Sequence, residues 1–145
     1  MRDFIGMTPI HLAARQGYMQ ITKLLIEAVE EVGDDPVASD YKQRTPIHYA
    51  AGYGHGHVLL ELMESTEEPI TPDYRGKTPI HWAAECGQSD VIKYLVDRTD
   101  NPVATDLFDW TPIHYAARCG DVESGNTIYL PIFFLVYTFV TKDSL

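Results

Sequence analysis

The chain repeats one pairing of reactive groups. A threonine hydroxyl is followed three residues later by an imidazole at Thr8 and His11, Thr45 and His48, Thr78 and His81, and Thr111 and His114. Hydroxyl and imidazole side by side are the ingredients of a base-activated nucleophile, and several imidazoles brought to one point could hold a metal ion. Two further histidines, His55 and His57, stand close together in GYGHGHV, and two thiols are present, Cys86 and Cys119. Beyond these the chain has no nucleophile elbow, no phosphate-cradling glycine loop, no HExxH and no CxxC. Whether the recurring pairs do chemistry depends on the elements that hold them.

Those elements recur with the pairs. The word TPIH starts at residues 8, 45, 78 and 111, a spacing of 37 and then twice 33 residues. In register with it come an alanine pair (Ala13–Ala14, Ala50–Ala51, Ala83–Ala84, Ala116–Ala117), a glycine (Gly17, Gly54, Gly87, Gly120) and an aspartate five residues before each threonine (Asp3, Asp40, Asp73, Asp106). Threonine is a good helix N-cap, and proline fits the first helical position because its missing N–H has no partner there. The alanines give the helix a small face for close approach of a neighbour, and glycine supplies the left-handed residue that ends it. Second amphipathic stretches follow, ITKLLIEA at 21–28, VLLELMES at 58–65 and VIKYLVD at 91–97, with apolar residues at helical spacing. Then come the connectors DDPVASD, EEPITPD and DNPVATD, in which proline forbids continuing the helix. The unit is helix, tight turn, helix, extended hairpin loop.

A period of 33 carrying D-x-x-G-x-T-P-I-H-x-A-A-x-x-G resembles the ankyrin repeat, with isoleucine in place of the usual leucine. The resemblance covers roughly residues 3–123. It implies an all-α solenoid of stacked helix-turn-helix units with projecting β-hairpin loops, held by nearest-neighbour contacts. The expected units are about 3–39, 40–72, 73–105 and a partial 106–123, followed by an atypical apolar tail at 124–145. The first unit is four residues longer than the others, and the insertion is expected in EAVEEVGDD, between its second helix and the next hairpin. Gly6 and Gly76 occupy the hairpin-turn glycine position, whereas Gln43 and Asp109 replace it elsewhere, so strain or a different shape is expected at those two tips. Where many ankyrin repeats carry a hydroxylatable asparagine, this chain has Val37, Ile70 and Val103, and no such modification is expected.

In such a stack equivalent residues lie about one helix–helix distance apart, ~10 Å, whereas metal ligands must converge to ~2 Å from one ion. The TPIH histidines therefore read as structural, each bonding backbone or the threonine hydroxyl and tying hairpin to helix. The same spacing exceeds the ~7 Å Cα limit for a disulfide, so Cys86 and Cys119 are expected as free thiols. His55 and His57 lack a Cys or acidic cluster to complete a metal set. No catalytic residue, cofactor or metal is expected.

Composition narrows the function further. The chain has 145 residues, 45% hydrophobic and 22% charged, with a net charge of −10. That balance argues against nucleic acid, whose affinity comes mostly from Lys and Arg, and against a polybasic membrane-surface module. Carboxylates such as Glu30, Glu31, Glu64 and Glu67 fall on second helices and connectors, as an acidic solvated back. Two cysteines and no apolar leader point to a reducing, cytoplasmic setting. After Glu123 the pattern breaks: in SGNTIYLPIFFLVYTFVTKDSL the stretch Ile128–Val140 is almost wholly apolar, no charge occurs from Ser124 to Thr141, and Gly125 and Pro131 sit where a second helix belongs. Three readings stay open for this tail: an alternative end replacing further repeats, a makeshift cap over the fourth unit, or a membrane anchor. The apolar run is short of the ~20 residues that span a bilayer.

The resemblance places partner contacts on hairpin tips and the inner-helix residues facing them, which vary between units. The tips present Phe4, Ile5 and Met7; Tyr41, Lys42 and Arg44; Tyr74, Arg75 and Lys77; and Leu107, Phe108 and Trp110. Tyr53, Glu85 and Arg118 follow the alanine pairs on the inner helices, beside Arg15, Cys86 and Cys119. The middle tips are aromatic and basic on an acidic chain. Tyr, Trp and Arg are the usual hot-spot residues, and a local basic strip can steer an acidic partner despite overall repulsion. The expected function is a non-enzymatic scaffold that binds a protein or peptide with acidic and apolar groups, as a monomer or a segment of a longer array. The alternatives are a membrane-tethered segment and the regulatory array of a larger enzyme or channel. Phe108 and Trp110 also admit a plain packing role against the neighbouring hairpin.

Overall fold

The computed structural model describes residues 2–119, which form helices α1 (Pro9–Gln16), α2 (Met19–Glu31), α3 (Pro46–Gly52), α4 (Gly56–Glu64), α5 (Pro79–Glu85), α6 (Ser89–Val96) and α7 (Pro112–Cys119). Among the described residues there is no strand. The readings of the 124–145 tail, and the end of the fourth unit from Gly120, lie outside the described residues.

Two layers result. The inner helices run side by side in chain order, α1 on α3, α3 on α5 and α5 on α7, and the outer helices stack likewise, α2 on α4 and α4 on α6. The alanine pairs make the inner row possible: Ala14, Ala50, Ala51, Ala83 and Ala84 are wholly buried, so neighbouring backbones approach without a side chain between them. Ile10, Ile47 and Ile80 point from the inner helices into one continuous core, met from the outer row by Leu59, Leu62, Ile92 and Leu95. In the first unit Thr22 takes the register position of Leu59 and stays satisfied by bonding the Tyr18 carbonyl at 2.8 Å.

The inner helices begin and end as the residue types dictate. Thr8, Thr45 and Thr78 are N-caps in extended conformation with proline next, and Gly17, Gly54 and Gly87 follow the helices at φ 77°, 79° and 70°. The next unit's side chain then closes over that glycine: His55 Nε2 bonds the Arg15 carbonyl at 3.1 Å and Gln88 Nε2 the Gly52 carbonyl at 3.1 Å.

One expectation about the first unit is corrected. Its extra residues do not form a loop after the second helix. They lengthen the helix itself: α2 has 13 residues against 9 in α4 and 8 in α6. EAVEE holds good helix formers, and nothing in it breaks the helix before Gly33, which takes φ 77°.

Candidate protein interaction surface

Each tip is folded by its aspartate. Asp40 Oδ1 accepts the N–H groups of Lys42 and Arg44 at 2.8 and 3.0 Å, and the Asp40 N–H bonds the Arg44 carbonyl at 2.9 Å. Asp3, Asp73 and Asp106 repeat the arrangement on their own tips, at 2.8–3.0 Å to the carboxylate. This is an Asx-type turn, in which a short carboxylate stands in for a backbone acceptor. The turn residue has positive φ, 83° at Gly6 and 78° at Gly76 but also 58° at Gln43 and 59° at Asp109. The strain expected at those two tips is therefore present, while the turn shape is kept. Successive tips are linked by single backbone bonds, Tyr41 N–H to Ile5 O (3.2 Å), Tyr74 N–H to Lys42 O (3.0 Å) and Leu107 N–H to Arg75 O (2.9 Å). The tips thus form one ribbon without a strand ladder.

The histidines hold that ribbon to the helices. His48 Nδ1 accepts the Thr45 backbone N–H at 3.0 Å and lies 3.0 Å from the Thr45 hydroxyl, a capping-box arrangement with an imidazole in the glutamate's place. With Nδ1 an acceptor, Nε2 carries the proton and donates to the Lys77 carbonyl at 3.0 Å. His11 bonds Arg44 O at 2.9 Å and His81 bonds Trp110 O at 3.0 Å in the same way. These three imidazoles therefore tie their own helices to the next unit's tip, a longer reach than the hairpin-to-helix tie read from the sequence, whereas His114 is exposed and among the described residues bonds Thr111. Burial lowers the pKa of His11 and His81, and pushes His48 down to about 4 against weaker opposing pulls from the Lys77 carbonyl, Asp73 and Asp40. A neutral imidazole with both nitrogens committed has no lone pair to give a nucleophile or a metal.

A second tie escaped the sequence reading. The residue after the histidine is Tyr49, Trp82 or Tyr115, and its polar atom reaches back nine positions to the unit's own aspartate. Tyr49 donates to Asp40 at 3.1 Å and Trp82 to Asp73 at 3.1 Å, and Tyr115 donates to Asp106. The rings also meet across units: Tyr49 and Trp82 pack edge to face at 5.4 Å. Burial raises the Asp40 carboxyl, but the Arg44 and Lys42 N–H groups and the Arg44 guanidinium outweigh it and leave the pKa lowered. Asp106 ends lowered as well, because bonds from Tyr115, Trp110 and Phe108 outweigh burial. The available signal was an aromatic donor at a constant offset from an aspartate.

The proposed contact residues divide by environment. Tyr41, Lys42, Tyr53, Tyr74, Arg75, Leu107, Phe108 and Arg118 are exposed, with Tyr41 71% and Phe108 63% accessible. Lys42 and Arg75 lie over the Tyr74 ring at 5.8 and 5.2 Å from its centroid, and Arg15 over Tyr53 at 5.5 Å. Arg44 is half-buried and committed to Asp40 at 2.7 Å. Trp110 is half-buried against Tyr115, ring centroids 5.1 Å apart. Lys77 departs from the expectation of a presented tip residue: it is 6% exposed, with its ammonium 4.3 Å from the Tyr115 centroid and ion-paired to Glu85. Met7 is buried too. Both sit just before a TP helix start, where Arg44 and Trp110 of the other units are half-buried. Cys86 and Cys119 are free thiols, and burial beside Glu85 raises the Cys86 pKa.

Stacked helix pairs with a ribbon of turn tips define a repeat solenoid held by contacts between neighbouring units. The family model described as Ankyrin repeats (3 copies) matches residues 1–73 and 59–129, and the chain belongs to that family. Ankyrin repeats are protein–protein interaction modules. The chain is similar to Ankyrin repeat domain-containing protein 63 of Homo sapiens and of Mus musculus, each 35% identical over 65 residues, 45% of this chain and 16% of the relative. It is also similar to Protein phosphatase 1 regulatory subunit 12A of Mus musculus, 45% identical over 49 residues, 34% of this chain and 4% of the relative. The matches thus span a small part of these longer proteins. Among the described residues no helix is long and apolar enough to cross a membrane, and no group of three or more His, Cys, Asp or Glu could hold a metal ion.

Proposed function

We propose that the chain is a non-enzymatic adaptor that holds a protein or peptide partner across the tips and inner-helix face of units two to four. The observation that carries this is the exposed run Tyr41, Tyr74, Leu107 and Phe108, with Lys42, Arg75 and Arg118 among them, on a chain of net charge −10. The tips are locked by aspartate and histidine bonds, so this face needs little ordering to bind, which lowers the entropic cost of association. The partner offers acidic and apolar groups, and the two free thiols suit a reducing, cytoplasmic compartment. The test is a pull-down with the full chain and a Tyr74→Ala, Arg75→Ala, Trp110→Ala variant. The wild type is expected to retain proteins that the variant loses; equal retention by a folded variant overturns the surface.

A second reading has its own support. The similarity to a protein named as a regulatory subunit of protein phosphatase 1 favours a role as the regulatory array of a larger enzyme assembly. Retention of purified protein phosphatase 1 on the immobilised chain is expected if that holds, and its passage through the column rules the assignment out.

A further inference from the structure

Among the described residues, a recess where charge and apolar surface meet lies between the third and fourth tips. It is a pocket of 240 Å³ walled by Arg75 and Lys77 from the third tip, Glu85 from α5, Phe108 and Trp110 from the fourth tip, and Tyr115 and Arg118 from α7. Three cations face one carboxylate, an excess of positive charge on a strongly acidic chain. The nearby carboxylates of Asp73 and Asp106 are turned into their own tips, occupied by the N–H groups of Arg75, Lys77, Phe108 and Trp110 and by Trp82 and Tyr115.

The cations are not equivalent. Lys77 is at the back, its side chain 8% exposed, held by Glu85 and the Tyr115 face. Arg118 is at the mouth, 57% exposed, bonding the other Glu85 oxygen at 2.7 Å and lying 5.3 Å over Trp110. Arg75 also lines the pocket, with the Tyr74 face beneath it at 5.2 Å and no side-chain hydrogen bond among the described residues. Glu85 thus fixes Lys77 and positions Arg118, while leaving Arg75 and the outer donors of Arg118 to an incoming group. Two guanidinium groups lining one pocket can bind a carboxylate by charge-assisted, directional hydrogen bonds. Phe108 and Trp110 on the same wall offer an apolar seat beside it.

We infer that this pocket is the anchor of the interaction surface, and that it takes an Asp or Glu side chain of an extended partner segment between Arg75 and Arg118, with a neighbouring aliphatic or aromatic side chain against Phe108 and Trp110. The inference rests on the adaptor reading and names the partner's chemistry. It is tested with a phage-displayed random dodecapeptide library selected on the full chain, with binders scored on two folded variants. One is Arg75→Gln with Arg118→Gln. The other is Tyr41→Ala with Tyr53→Ala, which alters the face away from the pocket. Enriched peptides are expected to share an acidic residue next to an apolar one, to weaken at least tenfold on the arginine variant, and to weaken with added NaCl. Peptides that lose affinity on the tyrosine variant but not on the arginine variant overturn the pocket and leave the face standing. If no peptide is enriched above an unrelated control protein, both fail.

Discussion

Acidification should loosen this solenoid well before its carboxylates titrate, and His48 supplies the largest single contribution. The imidazole is wholly buried and uses both nitrogens, one accepting from Thr45 and one donating to Lys77. A proton added at Nδ1 would face the Thr45 N–H, so the helix cap and the charge-free core would both be lost. The folded-state pKa is about 4 against 6.5 for the free group. Because the folded value is the lower one, the stability from keeping His48 neutral is fully present above pH 6.5 and disappears as the pH falls toward 4. At about 1.4 kcal/mol per unit the full loss is about 3 kcal/mol, of which about 2 kcal/mol is gone by pH 5. His11 and His81, also lowered, add losses of the same sign. Asp40 and Asp106 have lowered values and therefore act in a separate window, below 3.8. Urea unfolding followed by circular dichroism at pH 7, 6 and 5 measures the effect. His48→Gln should flatten the curve by about 2 kcal/mol over that range, since a glutamine oxygen can still accept the Thr45 N–H without titrating. A wild-type stability that does not change between pH 7 and 5, or His48 ring protons that titrate near 6.5 in the folded chain, would refute the assignment of the buried neutral ties.

Two further outcomes follow from the geometry. Glu85→Ala should destabilise the chain by about 1–3 kcal/mol because it leaves the Lys77 ammonium buried without its anion, the range being reduced because Glu85 is about a third exposed; Lys77→Met with Glu85→Gln should recover most of that in the same urea titration. Gly76→Ala should lower stability by about 1–3 kcal/mol, since its φ is 78° and a Cβ would sit 2.9 Å from the Leu107 backbone nitrogen, whereas Gln43→Gly, at φ 58°, should raise it by up to about 1 kcal/mol; thermal midpoints compare the two.

Residue order alone dictates the features that depend on neighbours along the chain. The TP helix starts, the glycine stops and the Thr–His contact across three residues are local, and repetition in register extended them into a stack. The free thiols and the positive-φ tips at Gln43 and Asp109 followed from the same register. The exposure of tip residues such as Tyr41, Tyr74 and Phe108 was also legible, because they lie outside the repeated frame. The rest arises on stacking, where the second partner comes from another unit. His48 finds the Lys77 carbonyl 29 residues away. The extra turn in the first unit went into α2 because nothing in EAVEE stops a helix, and spacing alone did not show on which side of the helix end it would fall. Lys77 reads as a tip cation in one dimension, yet it is buried because Glu85 and Tyr115, from two different helices, close over it. A side chain's exposure and its charge partner depend on what lies across the gap between units, and that distance is created only when the units stack.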